Sequence, residues 1–175
     1  MKKYIQITLI ICLASMTTNL YAGNPDRVGQ AGAGQLLINS FGRTSGWGLA
    51  NTSGVRGIES MFLNVGGLAH TPGTELTFSR MNYLRGSDIN INNFGLAQKM
   101  GSGVLGLTLQ AFDIDPIEIT TEQQPDGGIG TFKPQFMNIG IGYSKLFTKS
   151  ISGGIVFRVI SEGISDVKAM GISLD

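Results

Sequence analysis

One stretch limits the possible folds more than any other. In Gly103 to Ala111, Leu105, Leu107, Leu109 and Ala111 alternate with Gly106, Thr108 and Gln110. Successive side chains of a strand point to opposite faces, so this segment has one oily face and one polar, uncharged face. The pattern returns at Met137 to Tyr143, where Met137, Ile139, Ile141 and Tyr143 alternate with Asn138, Gly140 and Gly142, and Ser144 follows. A soluble antiparallel sheet usually carries Lys and Glu on its wet face. Here that face holds only Gly, Thr, Gln, Asn and Ser. The combination predicts antiparallel strands of a membrane barrel whose lumen is packed or plugged.

Composition points the same way. Glycine occurs 26 times in 175 residues, and charged residues make up 14%, against roughly 25% in ordinary globular domains. The net charge of +1 gives no electrostatic footprint for nucleic acid. The apolar run around Leu9 to Cys12 is far shorter than a membrane-spanning helix requires. A chain of this kind enters a bilayer only as a closed sheet, because open edges leave backbone groups unpaired in lipid.

Residues 1–22 read as an export signal. Lys2 and Lys3 form the charged start, Ile5 to Met16 the apolar middle and Thr17 to Ala22 the small, polar end, with cleavage between Ala22 and Gly23. Cys12 lies inside this leader, and the bulky Ile11 before it argues against lipidation. The mature chain then has no cysteine, which excludes disulfides, thiol catalysis and Cys-ligated metals.

Residues 23–74 show no clean period. They are dense in Gly, Ser, Ala, Asn and Thr, yet contain Phe41, Trp47 and Phe62, which argue for packing. The expectation is a compact, hatch-like segment with one or two short helices, inside or under the sheet. Residues 75–175 read as barrel strands at Glu75–Leu84, Asp88–Gln98, Gly103–Phe112, Gln135–Phe147, Ile151–Ser161 and Lys168–Asp175. Arg158 falls on the lumen side of its strand, opposite Ile155, Phe157 and Val159. Phe94 departs from the phase of Ile89 and Ile91, which predicts a bulge or a displaced boundary. Short connections alternate with longer ones, as between the two ends of an outer-membrane barrel, which puts Asp113 to Pro134 outside the cell. The fold class expected is all-β, a partial antiparallel transmembrane barrel. Since single-chain bacterial barrels start at about eight strands, further strands are expected beyond Asp175.

Catalytic chemistry finds little support. His70 is the single histidine, and no Gly-x-Ser-x-Gly elbow is present. The glycines at 29, 32 and 34 have the wrong spacing for a dinucleotide loop. No catalytic, cofactor or metal residues are therefore assigned. The acids Asp115, Glu118, Glu122 and Asp126 make the long loop a candidate partner-contact surface. Asp113-Ile-Asp115 could lend oxygens to calcium, but no complete ligand loop is legible.

Phe62-Leu-Asn-Val-Gly-Gly-Leu-Ala69 resembles a motif of the PorV/PorQ family of Bacteroidetes outer-membrane proteins, an aromatic followed by Asn-Pro-Ala-Gly-Leu-Ala. Phe62, Asn64, Gly67, Leu68 and Ala69 match it, while Val65 and Gly66 replace Pro and Ala. Glu75 to Ser79 stands where that family's first long strand begins, and Ile117 to Gly127 with Gly130 to Phe132 resembles a loop between its early strands. The likeness runs from roughly Ala31 to Asp175. It implies a barrel of about fourteen strands with an N-terminal hatch, within the known size range. It also implies a role in type IX protein secretion, with outer-membrane lipid, secretion-system proteins and the C-terminal signal domains of cargo as partners. The family is distantly similar to FadL-type transporters, so a channel for hydrophobic small molecules is the alternative. A secreted soluble β-sandwich used in adhesion is the third reading.

Overall fold

The computed structural model describes residues 32–175, of which Ala33–Asp175 form one compact unit. The expected export signal and its Ala22–Gly23 junction lie outside the described residues. Six long strands form one antiparallel sheet in the order β1-β2-β3-β6-β7-β8. They are β1 (Thr74–Tyr83), β2 (Ile89–Met100), β3 (Gly103–Ile114), β6 (Gln135–Leu146), β7 (Ser152–Ile164) and β8 (Val167–Leu174). A small hairpin, β4 (Ile117–Glu118) with β5 (Thr131–Phe132), interrupts the loop between β3 and β6. Among the described residues the sheet stays open, because β1 and β8 each pair on one side only.

All six expected strands are present, and their boundaries move by a few residues. The largest change is in β7, which continues through Glu162 to Ile164 instead of ending at Ser161. The turns follow local chemistry. Gly101 (φ 60°) turns the chain in the two-residue link between Met100 and Gly103, and Ser165 (φ 51°) does so between Ile164 and Val167. Left-handed residues at such positions match the right-handed twist of the flanking strands.

Two expectations are corrected. No bulge occurs near Phe94, since the β1–β2 and β2–β3 registers run unbroken. Ile89 and Ile91 belong to the inner face and Phe94 to the outer, so what reads as a slip of phase is apolar character on both faces. The alternation of short and long connections is also imperfect. Ser165–Asp166 is a two-residue turn at the same end as the long loop.

Residues 33–73 carry one helical turn, Gly42–Gly46, and three 3₁₀ turns, Gly34–Leu37, Ile58–Phe62 and Val65–His70. The last two lie on the sheet's inner face. Ile58, Met61 and Leu68 form the apolar core there with Ala97, Val104 and Val156. Phe41 is fully buried, but Trp47 is 67% exposed and does not anchor the segment.

Candidate functional site: a plugged inner wall

The strand registers turn the sequence alternation into rows that cross the sheet. One outer row runs Leu76, Leu96, Leu107, Ile141, Phe157, Leu174, and the next runs Phe78, Phe94, Leu109, Ile139, Val159, Ile172. Every member is apolar. Many are openly exposed, Phe78 at 69% and Ile172 at 74%. Toward the long-loop end this band gives way to Asn82, Asn90, Asp113, Gln135 and Lys168, which share the outer face.

The inner face is mixed, with Ile91, Ala97, Val104, Val156 and Ile160 buried beside polar residues. Asn93, Thr108, Gln110, Asn138, Ser144 and Arg158 are all buried there. Water-exposed leucines beside buried amides reverse the usual partition of a soluble protein.

Glycine makes the close fit of the N-terminal segment possible. A β-carbon at Gly95 would lie 2.7 Å from Ile58 Cγ1, and one at Gly142 would lie 3.0 Å from Met61 Cε. At Gly106 it would overlap Met61 Sδ and stand 3.0 Å from Leu68 Cδ2. These inner-face glycines form shallow sockets for the 3₁₀ turns, which gives part of the glycine excess a packing role.

The residues of the family-like motif gather at this contact. Phe62 packs edge-on against Phe41, with ring centroids 5.5 Å apart. Asn64 accepts a hydrogen bond from Gly66 N at 3.2 Å and donates from Nδ2 to the Thr52 carbonyl at 3.1 Å, which opens the next 3₁₀ turn. Gly67 has no space for a side chain, because a β-carbon would collide with the Val55 carbonyl oxygen. Leu68 is fully buried, Ala69 half-buried, and His70 exposed.

Arg158 is the cation of this wall. Its Nε donates to Asp175 Oδ2 at 2.8 Å, its Nη2 donates to the Met61 carbonyl, and its guanidinium sits 4.9 Å from the centre of the Phe62 ring. Gly140, its cross-strand neighbour, leaves room for the guanidinium, since a β-carbon there would be 3.2 Å from Nη1. A buried guanidinium is tolerated only with such partners. Sequence parity places Arg158 on the inner side; its contact with Phe62, 96 residues earlier, has no local signal.

A second tie is polar. Ser79 Oγ donates to the Ser40 carbonyl at 2.6 Å, Asn93 Nδ2 donates to Ser40 Oγ, and Gln110 Nε2 donates to the Ile38 carbonyl at 2.9 Å. Glu59, buried, accepts from Thr44 N at 3.1 Å and pairs with Arg43 at 3.5 Å.

The acidic loop residues do not converge. Asp115, Glu118, Glu122 and Asp126 are all exposed, and Glu118 accepts a hydrogen bond from Gly128 N at 3.3 Å. Asp113 is taken up by Lys133 at 2.8 Å, and that hydrogen bond holds the Lys133 ammonium above the ordinary lysine range. Among the described residues no three acidic, histidine or cysteine side chains cluster as metal ligands. No family model, curated protein or solved structure matches the chain.

Proposed function

We propose that this chain builds part of the wall and the hatch of a bacterial outer-membrane β-barrel of the PorV/PorQ type, serving protein secretion as a component or cargo carrier. The observation that carries the reading is the reversed polarity of the sheet. Two central outer rows are continuous hydrocarbon, whereas the inner face buries Asn93, Thr108, Gln110, Asn138 and Arg158 beside apolar residues such as Ile91 and Val156, under the N-terminal segment. Strand length supports it as well. The six long strands have 8 to 13 residues, and crossing a bilayer at the usual tilt takes about 9–11. Strands of soluble proteins average about 5–6.

On this reading, lipid covers the outer face and further strands close the sheet. The exposed acidic loop with Asp115, Glu118, Glu122 and Asp126 stands at one rim, where it offers a surface to secretion partners or to the signal domain of cargo. The secretion role rests on the motif resemblance, and the barrel rests on the sheet. Fractionation tests the barrel: the full-length protein should stay with outer membranes, require detergent for extraction and shift its gel mobility on heating. Recovery as a monodisperse species without detergent would overturn it. Loss of export of signal-domain cargo on deletion of the gene tests the role.

The plug itself favours a second reading, a FadL-like channel for hydrophobic small molecules. Here residues 33–73 would be the gate, and their deletion should raise uptake of an apolar solute.

A further inference from the structure

The two ends of the sheet differ in charge. At the end where β2 turns into β3 and β6 into β7 lie Lys99, Lys145 and Lys149, and Phe147 and Ile151 beside them are 67% and 59% exposed. The N-terminal segment brings Arg43 and Arg56 to the same end. Glu75, near the start of β1, accepts from Ile58 N at 3.3 Å, and Arg43 Nη2 donates to the Arg56 carbonyl at 3.2 Å. The carboxylates found here among the described residues are turned inward, Glu75 onto Ile58 and the buried Glu59 onto Thr44 N and Arg43. Arg56, Lys99, Lys145 and Lys149 pair with no carboxylate among the described residues. The other acids, Asp175 apart, gather at the opposite end, in the long loop and at Asp88, Glu162 and Asp166.

A pocket of about 430 Å³ opens at the cationic end, lined by Arg43, Trp47, Ala50, Gly54, Val55 and Arg56. Both guanidiniums are held before any ligand arrives. Arg56 Nη1 donates to the Ser53 carbonyl at 3.1 Å and the Val55 carbonyl at 2.8 Å, while Arg43 is fixed by the Arg56 carbonyl and by Glu59 at 3.5 Å. Groups held in this way lose little freedom on binding. Trp47, the single tryptophan of the chain, stays 67% exposed at the pocket. The turn that follows it runs through two left-handed residues, Gly48 (φ 59°) and Leu49 (φ 64°), a conformation that strains leucine. Strain kept in an exposed turn is characteristic of segments that meet a ligand or partner.

A guanidinium matches a carboxylate through two parallel N–H···O bonds. Between the two arginines the pocket offers Ala50, Gly54, Val55 and the Trp47 indole. The occupant that fits therefore carries carboxylates around an apolar side chain, and exposed Trp and Arg are the residues that most often dominate protein interfaces. Lipid against the outer rows would leave this site in water, because Arg43, Trp47 and Arg56 belong to the segment that covers the inner face. We propose that the cationic end, centred on this pocket, docks an acidic polypeptide segment of a partner protein, with its carboxylates on Arg43 and Arg56 and an apolar side chain against Trp47. The surrounding lysines draw the partner in from a distance. The site stands whether or not lipid covers the outer face.

The test uses the full-length protein in nonionic micelles and a fluorescein-labelled Glu-Glu-Leu-Glu-Glu-Leu peptide, read by anisotropy and by Trp47 emission. The peptide should bind and shift the emission to the blue, its Gln-Gln-Leu-Gln-Gln-Leu twin should not, and Glu-Glu-Ser-Glu-Glu-Ser should bind more weakly. Salt near 1 M, where the screening length is about 3 Å, should abolish binding. Arg56→Gln should weaken it about fivefold and Trp47→Ala about tenfold or more, while Lys168→Gln at the opposite end leaves it unchanged. Arg56 and Trp47 are both exposed, so circular dichroism should show each variant folded. No binding, or binding indifferent to both Arg56→Gln and Trp47→Ala, would overturn the proposal. An emission shift produced by phosphatidylglycerol in the micelles instead of by the peptide would give the site to lipid and overturn it. A shift that appears without peptide as protein concentration rises would give it to a second copy, with the same consequence.

Discussion

Substituting Gly95 by alanine tests how closely the wall is shaped to its plug. The added methyl would meet Ile58 at 2.7 Å from Cγ1, 3.2 Å from Cγ2 and 3.5 Å from Cβ. Ile58 is fully buried, and its branched side chain is stiff about χ1, so it cannot swing aside as a methionine could. Overpacking of this kind costs about 1–3 kcal/mol, and replacing a strand glycine returns about 0.5–1, which leaves a net change between about zero and a loss of about 2.5 kcal/mol. The control is Gly171→Ala on the inner face of β8, where a β-carbon meets nothing within 4 Å. That change should stabilise by about 0.4–1 kcal/mol through the unfolded chain. The decisive form is a double-mutant cycle. Ile58→Ala alone should cost about 2–5 kcal/mol, and combined with Gly95→Ala it should cost less than the sum by about 1–2 kcal/mol. Urea titrations followed by circular dichroism, on protein refolded in detergent micelles, measure all four species. An additive cycle would refute the socket.

Arg158→Met should destabilise by about 2–4 kcal/mol in the same titration, because it leaves the Met61 carbonyl without its donor and removes the cation above Phe62. Asp175→Asn should cost less than about 1 kcal/mol, since the Asp175 side chain is 55% exposed. Gly67→Ala should loosen the Val65–His70 turn against the Val55 carbonyl, read as faster protease cleavage between residues 50 and 73. Lys133→Ala should speed cleavage within residues 115–134 while leaving the urea midpoint unchanged, because the Asp113–Lys133 pair is exposed. That pairing should persist from neutral pH to beyond the ordinary lysine range and weaken only as the raised Lys133 pKa is passed.

The sheet is well written in the sequence because period-two alternation is a local signal. Leu105 to Gln110 and Met137 to Ser144 announce both their secondary structure and their two faces. Signals that depend on distant partners are not written there. Phe94 looks out of phase until Ile91 is seen to pack inward. Trp47 reads as an anchor by size alone, although it stands in the open. The motif residues Phe62, Asn64, Gly67 and Leu68 are legible as a unit, but their work comes from Phe41, Thr52, Val55 and Arg158, which no spacing rule connects to them. The β4–β5 hairpin escapes because two residues per strand carry no period.

The central claim is that the oily face of this sheet meets lipid. The direct measurement is an accessibility scan with single spin labels at positions 104 to 111 of β3 in protein reconstituted into bilayers. Positions 105, 107, 109 and 111 should collide with dissolved oxygen and hide from a water-soluble nickel chelate, while 104, 106, 108 and 110 hide from both. Labels at 105, 107 and 109 that see the nickel chelate, or that are shielded from oxygen as between two packed sheets, would contradict the account.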